Sequence, residues 1–424
     1  MNAASEMDRW GFPRRVAFCF AFVYLVLYLA PFPLDMLPVV NEPVFNAWFS
    51  IWQALVPWVG ANVFGVAITV EPNGSGDTTF NYVQVFCFLV IAAAVVLVWV
   101  IADRRRANYS RLHHWLRIYV RFALAAAMIS YGAYKVIQSQ FPAPGLGRLI
   151  QPFGDASPMG LLWTFMGASA SYNLFTGIGE MLGGVLLTMR RTALLGALIA
   201  AAVMSNIVML NFSYDVPVKL YSTHLLLMCV FVMLPDLGRV LRFFVLNRPV
   251  EPARLPESFQ SRPMRWGSLL VRTAFVAVLI YLPMRQSIDQ QKRFESMKTP
   301  LHGIWQVDEF AVGDRVVPPL LTEVVRWRRV IFDRGEMGIQ YVSDHRIRYR
   351  LNLDVKKHVL ALTRREDPSK KYSLEYSEPA PDRLVVNGMI EGQNVRATLR
   401  KVPAPQFLLV DRGFHWINEY PFNR

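Results

Sequence analysis

Residues 80–102 read FNYVQVFCFLVIAAAVVLVWVIA and contain no charged side chain. A helix needs about 20 apolar residues to cross the hydrocarbon core of a bilayer, because no backbone polar group can stay unpaired in lipid. This stretch therefore predicts a membrane-spanning helix. Six further stretches meet or approach that length, at 16–34, 116–137, 171–189, 192–211, 220–237 and 266–284. Together they predict an α-helical polytopic membrane bundle of about seven spans.

The composition of the whole chain agrees with a membrane protein. Of its 424 residues, 53% are hydrophobic and 18% charged, and the net charge is +14. Residues 1–300 hold 25 Lys and Arg against 15 Asp and Glu, whereas residues 301–424 hold 20 against 16. Most of the basic excess therefore belongs to the apolar part, where anionic lipid explains it and no nucleic-acid partner is needed.

Several chemistries are excluded by their missing motifs. The three cysteines lie inside apolar runs and form no CxxC pair, which argues against a disulfide scaffold and against dithiol exchange. No glycine-rich phosphate loop, HExxH motif or zinc-spaced Cys/His set occurs, so no metal site is predicted.

The distribution of Lys and Arg among the loops predicts the orientation. Loop 35–79 holds neither residue type and loop 138–170 holds only Arg148, whereas Arg104, Arg105 and Arg106 follow the second span. Because positive loops stay inside, we expect a cytoplasmic N-terminus in an inner or plasma membrane. Seven spans would place the C-terminal segment outside, and one span more or fewer would reverse its side.

Two of the predicted outer loops are more than linkers. Residues 43–58 place aromatic residues at helical spacing, which favours an amphipathic helix at the lipid interface. Residues 138–170 end in the apolar stretch PMGLLWTFMG, which is too short to span and favours a re-entrant or interfacial segment.

From about residue 300 the pattern changes to short segments of alternating polarity. Eight or nine such segments predict an all-β antiparallel barrel or sandwich of about 120 residues. They lie at 303–312, 324–332, 337–343, 346–353, 358–363, 371–376, 383–390, 393–402 and 406–411.

Within this segment, local patterns predict turns and faces. Asn387-Gly388 and Glu391-Gly392 have turn chemistry and are expected between strands. Arg346, Arg348 and Arg350 should share one face of their strand, as either a solvated outer surface or an anion-facing one.

Glu180 is the clearest polar residue inside an apolar stretch. It lies about ten residues, or roughly 15 Å, from the inner end marked by Arg190, near the middle of the bilayer. Gly179 and Gly183 flank it as a GxxxG pair, which favours close approach of another helix. Glu180 is therefore either a hydrogen-bonded structural carboxyl or an acid suited to proton exchange, and we favour the functional role.

Lys135 lies close to the outer end of the third predicted helix, where snorkelling to the interface would also explain it. A further polar cluster, NFSYDVPVKLYSTHL, joins the fifth and sixth helices. Its Asp215 and Lys219 could simply pair across the turn, and His224 is either a structural histidine or a proton carrier.

Because these groups map to the middle or outer half of the bundle, we predict that they converge on a polar cavity that opens outward. The predicted catalytic residues are Glu180, Lys135 and His224. The predicted ligand-binding residues are Asp215, Lys219, Tyr214, Asn211 and Tyr131.

The runs RFALAAAMISYGAYKV and FTGIGEMLGGVLLTMRRTALLGALIAAAVM resemble the DoxX-like membrane family. Lys135 matches the lysine at the end of one family helix, and Glu180, Gly183 and Gly184 match its acidic-glycine motif. The resemblance covers roughly residues 115–237, a four-helix unit. It implies a role in quinone-coupled oxidation of sulfur compounds or in thiol redox balance, although many members have no assigned activity.

The chain departs from small DoxX-like proteins by its additional helices and its β-domain. The opening GIW and closing RGFHWINEYPFNR of that domain resemble the termini of lipocalin-like barrels. A helical bundle followed by an outer β-domain also resembles vitamin K-dependent carboxylases and their bacterial relatives, which use a lysine base near the membrane. On that architectural likeness, Lys135 would be the base.

The sequence divides into four predicted parts: a two-helix membrane region at 1–110, the DoxX-like unit at 111–240, an inner loop with the seventh helix at 241–299, and the extracytoplasmic β-domain at 300–424. Three functions remain open, and with them whether the chain is an enzyme. One is a redox protein that binds a quinone or another amphipathic ligand in the cavity. The second is a non-catalytic membrane anchor or assembly module whose β-domain binds an envelope partner. The third is transport, which seven spans without a convincing internal repeat favour less.

Overall fold

A computed structural model describes residues 9–37, 40–70, 73–252, 261–297, 299–403 and 406–423. The chain forms two compact units. The helical unit comprises Met1–Val136 and Phe175–Pro283, and the barrel unit comprises Ile137–Leu174 and Met284–Arg424. The four-part division made from the sequence stays a prediction.

The helices of the described residues are α1 (Phe12–Leu29), α2 (Asn41–Val59), α3 (Thr79–Ala102), α4 (Ser110–Val136), α5 (Leu146–Leu149), α6 (Pro158–Ala168), α7 (Ala170–Thr188), α8 (Ala193–Ser213), α9 (Lys219–Met233), α10 (Leu237–Val240), α11 (Arg262–Ser296) and α12 (Leu408–Asp411). Short turns of tighter or wider helix occur at Leu34–Met36, Gly60–Phe64, Phe153–Asp155, Leu234–Asp236 and Leu241–Val245.

Six segments of the described chain are long and apolar enough to cross a membrane. They are Phe12–Met36, Thr79–Ala102, Ser110–Val136, Ala193–Ser213, Lys219–Val245 and Arg262–Arg293. The helical membrane bundle is thus confirmed, with six such segments where the sequence predicted about seven. The predicted span that is missing from this set is α7, whose Asn173, Glu180 and glycines lower its mean hydropathy.

Capping residues in the sequence explain where two of these helices, α3 and α6, begin. At α3, the Thr78 hydroxyl accepts a hydrogen bond from the Asn81 backbone, and the Asn81 side chain accepts one from the Thr78 backbone, which forms a capping box. At α6, the Ser157 hydroxyl accepts from the Gly160 N–H at 3.1 Å. The aromatic stretch 43–58 lies inside α2, and its place relative to lipid stays a prediction.

In the described part of the barrel unit, nine strands form one antiparallel sheet: β1 (Gly303–Val312), β2 (Arg315–Val316), β3 (Trp327–Asp333), β4 (Glu336–Tyr341), β5 (Arg346–Asp354), β6 (Val359–Arg364), β7 (Lys371–Ala380), β8 (Arg383–Ile390) and β9 (Gln393–Lys401). Each strand pairs with the next from β3 to β9, and β1 pairs with both β3 and β9. Eight strands therefore close into a barrel, and the short β2 pairs only with β1. The predicted antiparallel β-domain is confirmed as a barrel.

Two local predictions about this domain are wrong. Residues 406–411 contain no strand; their turn of helix is α12, and Asp411 accepts a hydrogen bond from the Phe407 N–H at 2.5 Å. The pairing of β1 with β9 also closes the barrel, so the ladder is complete without a further strand. The strand β2 was not anticipated, because two residues are too few to show alternation.

The second error concerns Asn387-Gly388, which lies inside β8 and makes no turn. Gly388 has a φ of +145°, and a Cβ there would come within 2.9 Å of the Leu374 side chain on the neighbouring strand. The glycine thus serves close strand packing. Glu391-Gly392 does form the turn between β8 and β9, as predicted, and both residues have positive φ.

Alternation along β5 places Ile347, Tyr349 and Leu351 in the barrel core and the three predicted arginines on the other face. Five aromatic side chains, each at most 2% exposed, occupy the core: Trp305, Phe310, Trp327, Phe332 and Tyr349. Side chains therefore fill the interior of this eight-stranded barrel, as they do in other small barrels.

Candidate functional site

The interface between α4 and α7 is made by glycines. A Cβ at Gly132 of α4 would lie 2.6 Å from the Gly177 carbonyl oxygen of α7, and one at Gly184 would lie 2.7 Å from the Ile129 side chain. Gly177 and Gly184 are two helical turns apart and face α4 together. The backbones of the two helices therefore approach closely.

The GxxxG pair proposed from the sequence makes different contacts. Gly183 packs against Ala200 of α8, where a Cβ would lie 3.3 Å from the Ala200 nitrogen. Gly179 has ordinary space, with its nearest neighbour, Val203, at 3.9 Å. The sequence was right that glycines around Glu180 permit close helix approach, but Gly177 and Gly184 provide it on the α4 side.

Close approach of these helices joins two of the predicted catalytic residues. The Lys135 ammonium donates a hydrogen bond to Glu180 Oε1, and the two residues form an ion pair. Lys135 is 6% exposed and Glu180 1%, so the pair is buried in the helical unit. A buried pair is retained more readily for specificity or function than for stability, because desolvation offsets most of the attraction.

The second carboxylate oxygen of Glu180 is chemically unusual. Oε2 is buried and has no hydrogen-bond partner among the described residues. A buried acceptor left unpaired costs about 1 to 3 kcal/mol, and more for a charged group. Glu180 thus presents an unsatisfied acceptor next to a fixed cation.

His224, the third predicted catalytic residue, belongs to a separate contact between α9 and α1. Its Nδ1 lies 2.6 Å from the Leu220 carbonyl oxygen, which can only accept, so Nδ1 carries the proton. In the neutral ring, Nε2 then accepts from the Tyr24 hydroxyl at 2.5 Å. The imidazole also stacks on Tyr28, with ring centroids 4.0 Å apart. The histidine is thus held in one tautomer and one orientation.

Three tyrosines lie on the helices that make these two contacts. Tyr131 of α4 packs against Tyr221 of α9, with ring centroids 5.9 Å apart. Tyr131 lies about one helical turn before Lys135 on α4, and Tyr28 of α1 stacks on His224. We call Tyr131, Tyr221 and Tyr28 the tyrosine row, which has members beside both contacts.

The remaining predicted ligand-binding residues have structural partners. The Asn211 amide donates to the Ser222 hydroxyl at 3.0 Å, which links the buried ends of α8 and α9. Lys219 pairs with Asp215 at 2.8 Å, so the pairing across the turn is present. Tyr214 ends α8 and is partly exposed. These residues form a cluster at the ends of α8 and α9.

Asp77 completes that cluster and was not singled out from the sequence. Its carboxylate accepts hydrogen bonds from the Lys219 and Leu220 N–H groups, at 2.7 and 2.9 Å, at the start of α9. Tyr24, Tyr28 and Tyr221 were missed too. The spacing of Tyr24 and Tyr28, four residues apart in an apolar helix, was the available signal for a shared polar face.

A second polar group lies at one end of the barrel. Glu391, in the β8–β9 turn, accepts from the Tyr349 hydroxyl at 3.0 Å and pairs with Arg364 at 2.9 Å. Burial raises the pKa of Tyr341 to about 12 and raises that of Tyr349 further. Both phenols therefore stay protonated at neutral pH, and that of Tyr349 serves as a hydrogen-bond donor to Glu391.

No family model matches the chain, and no solved structure matches it. Among curated proteins, it is 37% identical over 126 residues to the uncharacterized protein YwoB of Bacillus subtilis strain 168. The match spans 29% of this chain and 79% of that relative. Since most of the relative is covered at this identity, the chain belongs to the same family as YwoB.

Proposed function

We propose that the chain is an integral membrane redox protein of DoxX type that binds a quinone or another amphipathic ligand beside the Lys135–Glu180 pair. The observation that carries the proposal is the buried, unpartnered Oε2 of Glu180. A quinol hydroxyl would donate to this oxygen, and a quinone carbonyl would accept from the Lys135 ammonium. One pair of side chains would then recognise both redox forms of the head group.

The same pair would handle the proton that a bound hydroxyl releases. Glu180 is the acceptor in this proposal, and Lys135 stabilises its carboxylate. Tyr24 and His224 supply a second proton-exchanging contact, since neutral His224 accepts at Nε2. The hydroxyls of the tyrosine row can both donate and accept, and this row is the proposed route for protons between the two contacts.

We also propose that α7 crosses the bilayer as a seventh span, with the N-terminus cytoplasmic and the barrel unit extracytoplasmic. The support is packing: α7 contacts α4 at Gly184 and α8 at Gly183, and both neighbours are long and apolar enough to span. The orientation is tested with a cysteine introduced at Ser369, an exposed barrel position. We expect this cysteine to react with a membrane-impermeant reagent in intact cells. An unlabelled cysteine that reacts only after lysis contradicts the orientation.

The function is tested with the full chain in nanodiscs that contain a quinone. We expect quinone to co-purify and its binding to fall in Glu180→Gln, because the amide carries no charge and offers a weaker acceptor. Glu42→Gln is the matched control, since Glu42 is an exposed carboxylate at the start of α2. Quinone binding that is unchanged in Glu180→Gln, or absent in the wild type, contradicts the proposal.

A non-catalytic anchor or assembly module is the second candidate. The filled interior of the barrel favours it for the barrel unit, because a packed core leaves recognition to the outer surface. Crosslinking from the barrel surface in intact cells tests this candidate. Repeated capture of one envelope protein supports it, and capture of none argues against it.

A further inference from the structure

The barrel unit carries a groove that the proposed function does not use. It is an open cavity of about 420 Å³ between the α5–α6 segment and the α12 turn. This volume lies within the range of about 300 to 1,000 Å³ that small-molecule sites occupy. Apolar side chains provide most of its wall, including Leu149, Phe153, Leu161, Phe407, Leu408 and Leu409.

Among the described residues that line the groove, Arg148 is charged and none is acidic. The Arg148 guanidinium donates to the Gln151 side chain at 2.7 Å, which fixes its direction. Among the described residues, no carboxylate lies within ion-pair distance of Arg148. By contrast, Arg328, Arg364 and Arg383 of the same unit each pair with an acid.

Further positive charge lies next to Arg148. Burial and the nearby Arg348 lower the pKa of Arg148. Burial followed by Arg148 lowers the pKa of Arg346, and the neighbouring Asp155 offsets part of that decrease. Arg346 also donates to the Gly147 carbonyl at 2.8 Å, so the strand arginines hold the segment that presents Arg148. The groove is therefore apolar along its length and cationic at one end.

The chain beyond α12 is rich in exposed aromatic residues. Phe414 is 77% exposed, Trp416 91% and Tyr420 67%. Tryptophan and tyrosine are enriched where a membrane meets water, because their rings are apolar and their edges polar. This composition, in a chain with apolar spanning helices, favours a lipid as the occupant of the adjoining groove.

We propose that this groove binds an anionic phospholipid, with the phosphate on Arg148 and one acyl chain against Leu149, Leu161 and Leu408. The planar guanidinium matches two phosphate oxygens with parallel hydrogen bonds. An acyl chain removes the apolar wall from water, which is favourable in proportion to the area covered. Charge complementarity selects an anionic lipid over a zwitterionic one.

Photo-crosslinking with the full chain in nanodiscs of phosphatidylcholine tests the site. The probes are phosphatidylglycerol and phosphatidylcholine with a diazirine in one acyl chain, and labelled peptides are mapped by mass spectrometry. We expect the phosphatidylglycerol probe to label residues 149–161 and 406–409, and the phosphatidylcholine probe to label them far less. Both probes should label α3 equally, which provides the internal control.

Two variants test the charge and the apolar wall separately. Arg148→Gln should lower groove labelling by the anionic probe about fivefold, because an exposed charge pair contributes up to about 1 kcal/mol. Leu409→Asp, at a half-exposed position, should lower it as well by repelling the phosphate. Arg396→Gln, an exposed arginine of β9 away from the groove, is the control and should leave labelling unchanged.

The outcomes decide the proposal. Labelling of the groove by the anionic probe that falls in both variants supports it. Equal labelling by the two probes, no labelling of the groove, or full labelling in Arg148→Gln overturns it.

Discussion

Removing one partner of the Lys135–Glu180 pair should destabilise the helical unit strongly, and removing both should not. In Lys135→Met, Oε1 of Glu180 loses its donor while Oε2 already has none among the described residues, so the buried carboxylate would be left without a protein partner. Breaking a buried ion pair in this way costs about 3 to 5 kcal/mol. Methionine keeps most of the lysine volume, so cavity formation adds little.

The double variant Lys135→Met with Glu180→Leu replaces the pair by apolar groups in an apolar interface. We expect it to recover most of the lost stability, because no buried charge remains. The assay is equilibrium unfolding of the full chain in mixed micelles, followed by helical circular dichroism, with all four members of the double-mutant cycle.

The control for the cycle is Asp215→Asn, which removes the largely exposed acid of a pair and leaves Lys219 beside Asp77. It should cost no more than about 1 kcal/mol. A Lys135→Met variant as stable as the wild type, or a cycle with no coupling, would refute the argument that the pair is charged and buried. A stable double variant that no longer binds quinone would separate the function of the pair from its contribution to folding.

Three further outcomes test the fold. Gly388→Ala should lower the unfolding free energy of the barrel by about 1 to 3 kcal/mol in a thermal melt, because a φ of +145° strains an L residue. Gly338→Ala is the control and should lower it less, because a Cβ there would make only ordinary contacts, the nearest at 3.6 Å. Equal losses of unfolding free energy in the two variants would contradict the reasoning. Asp77→Ala should cost about 1 kcal/mol by removing the two hydrogen bonds at the start of α9, and an unchanged melting temperature would argue against that capping role. Burial raises the pKa of Tyr341 to about 12 from an ordinary value of 10.0, so the stability this phenol contributes is complete below pH 10 and is lost as pH rises toward 12. Absorbance at the tyrosinate band should show Tyr341 ionising after the exposed tyrosines, and a Tyr341→Phe barrel that loses stability equally over that interval would exclude this residue as the cause.

The apolar runs and alternating strands were predictable because each is a local pattern. The bounds of β1 and β8 agree with the prediction at both ends. Side chains that alternate between core and solvent produce an alternation of apolar and polar residues in the sequence. Helix α7 shows the limit of hydropathy. Its glycines and Glu180 serve contacts with α4, and the same residues keep it out of the set of described helices that are long and apolar enough to span.

The candidate site was predictable residue by residue but not as an arrangement. Glu180 and Lys135 were chosen for their charge in apolar helices, and they do meet. His224 was grouped with them, yet its partners are Tyr24 and Tyr28, about 200 residues earlier in the chain. Asp215 and Lys219 were grouped with them too, and they pair with each other at the surface.

The sequence by itself determined that this chain has a helical membrane part followed by a β-domain. Hydropathy, periodicity and turn residues act over a few neighbouring positions and need no knowledge of distant contacts. Only the tertiary structure decided that β1 closes the barrel on β9, and that Gly177 and Gly184 bring Glu180 to Lys135. These contacts join segments that are far apart in the chain. Which side chains meet depends on the close packing of whole helices and strands, and no local sequence pattern contains that information.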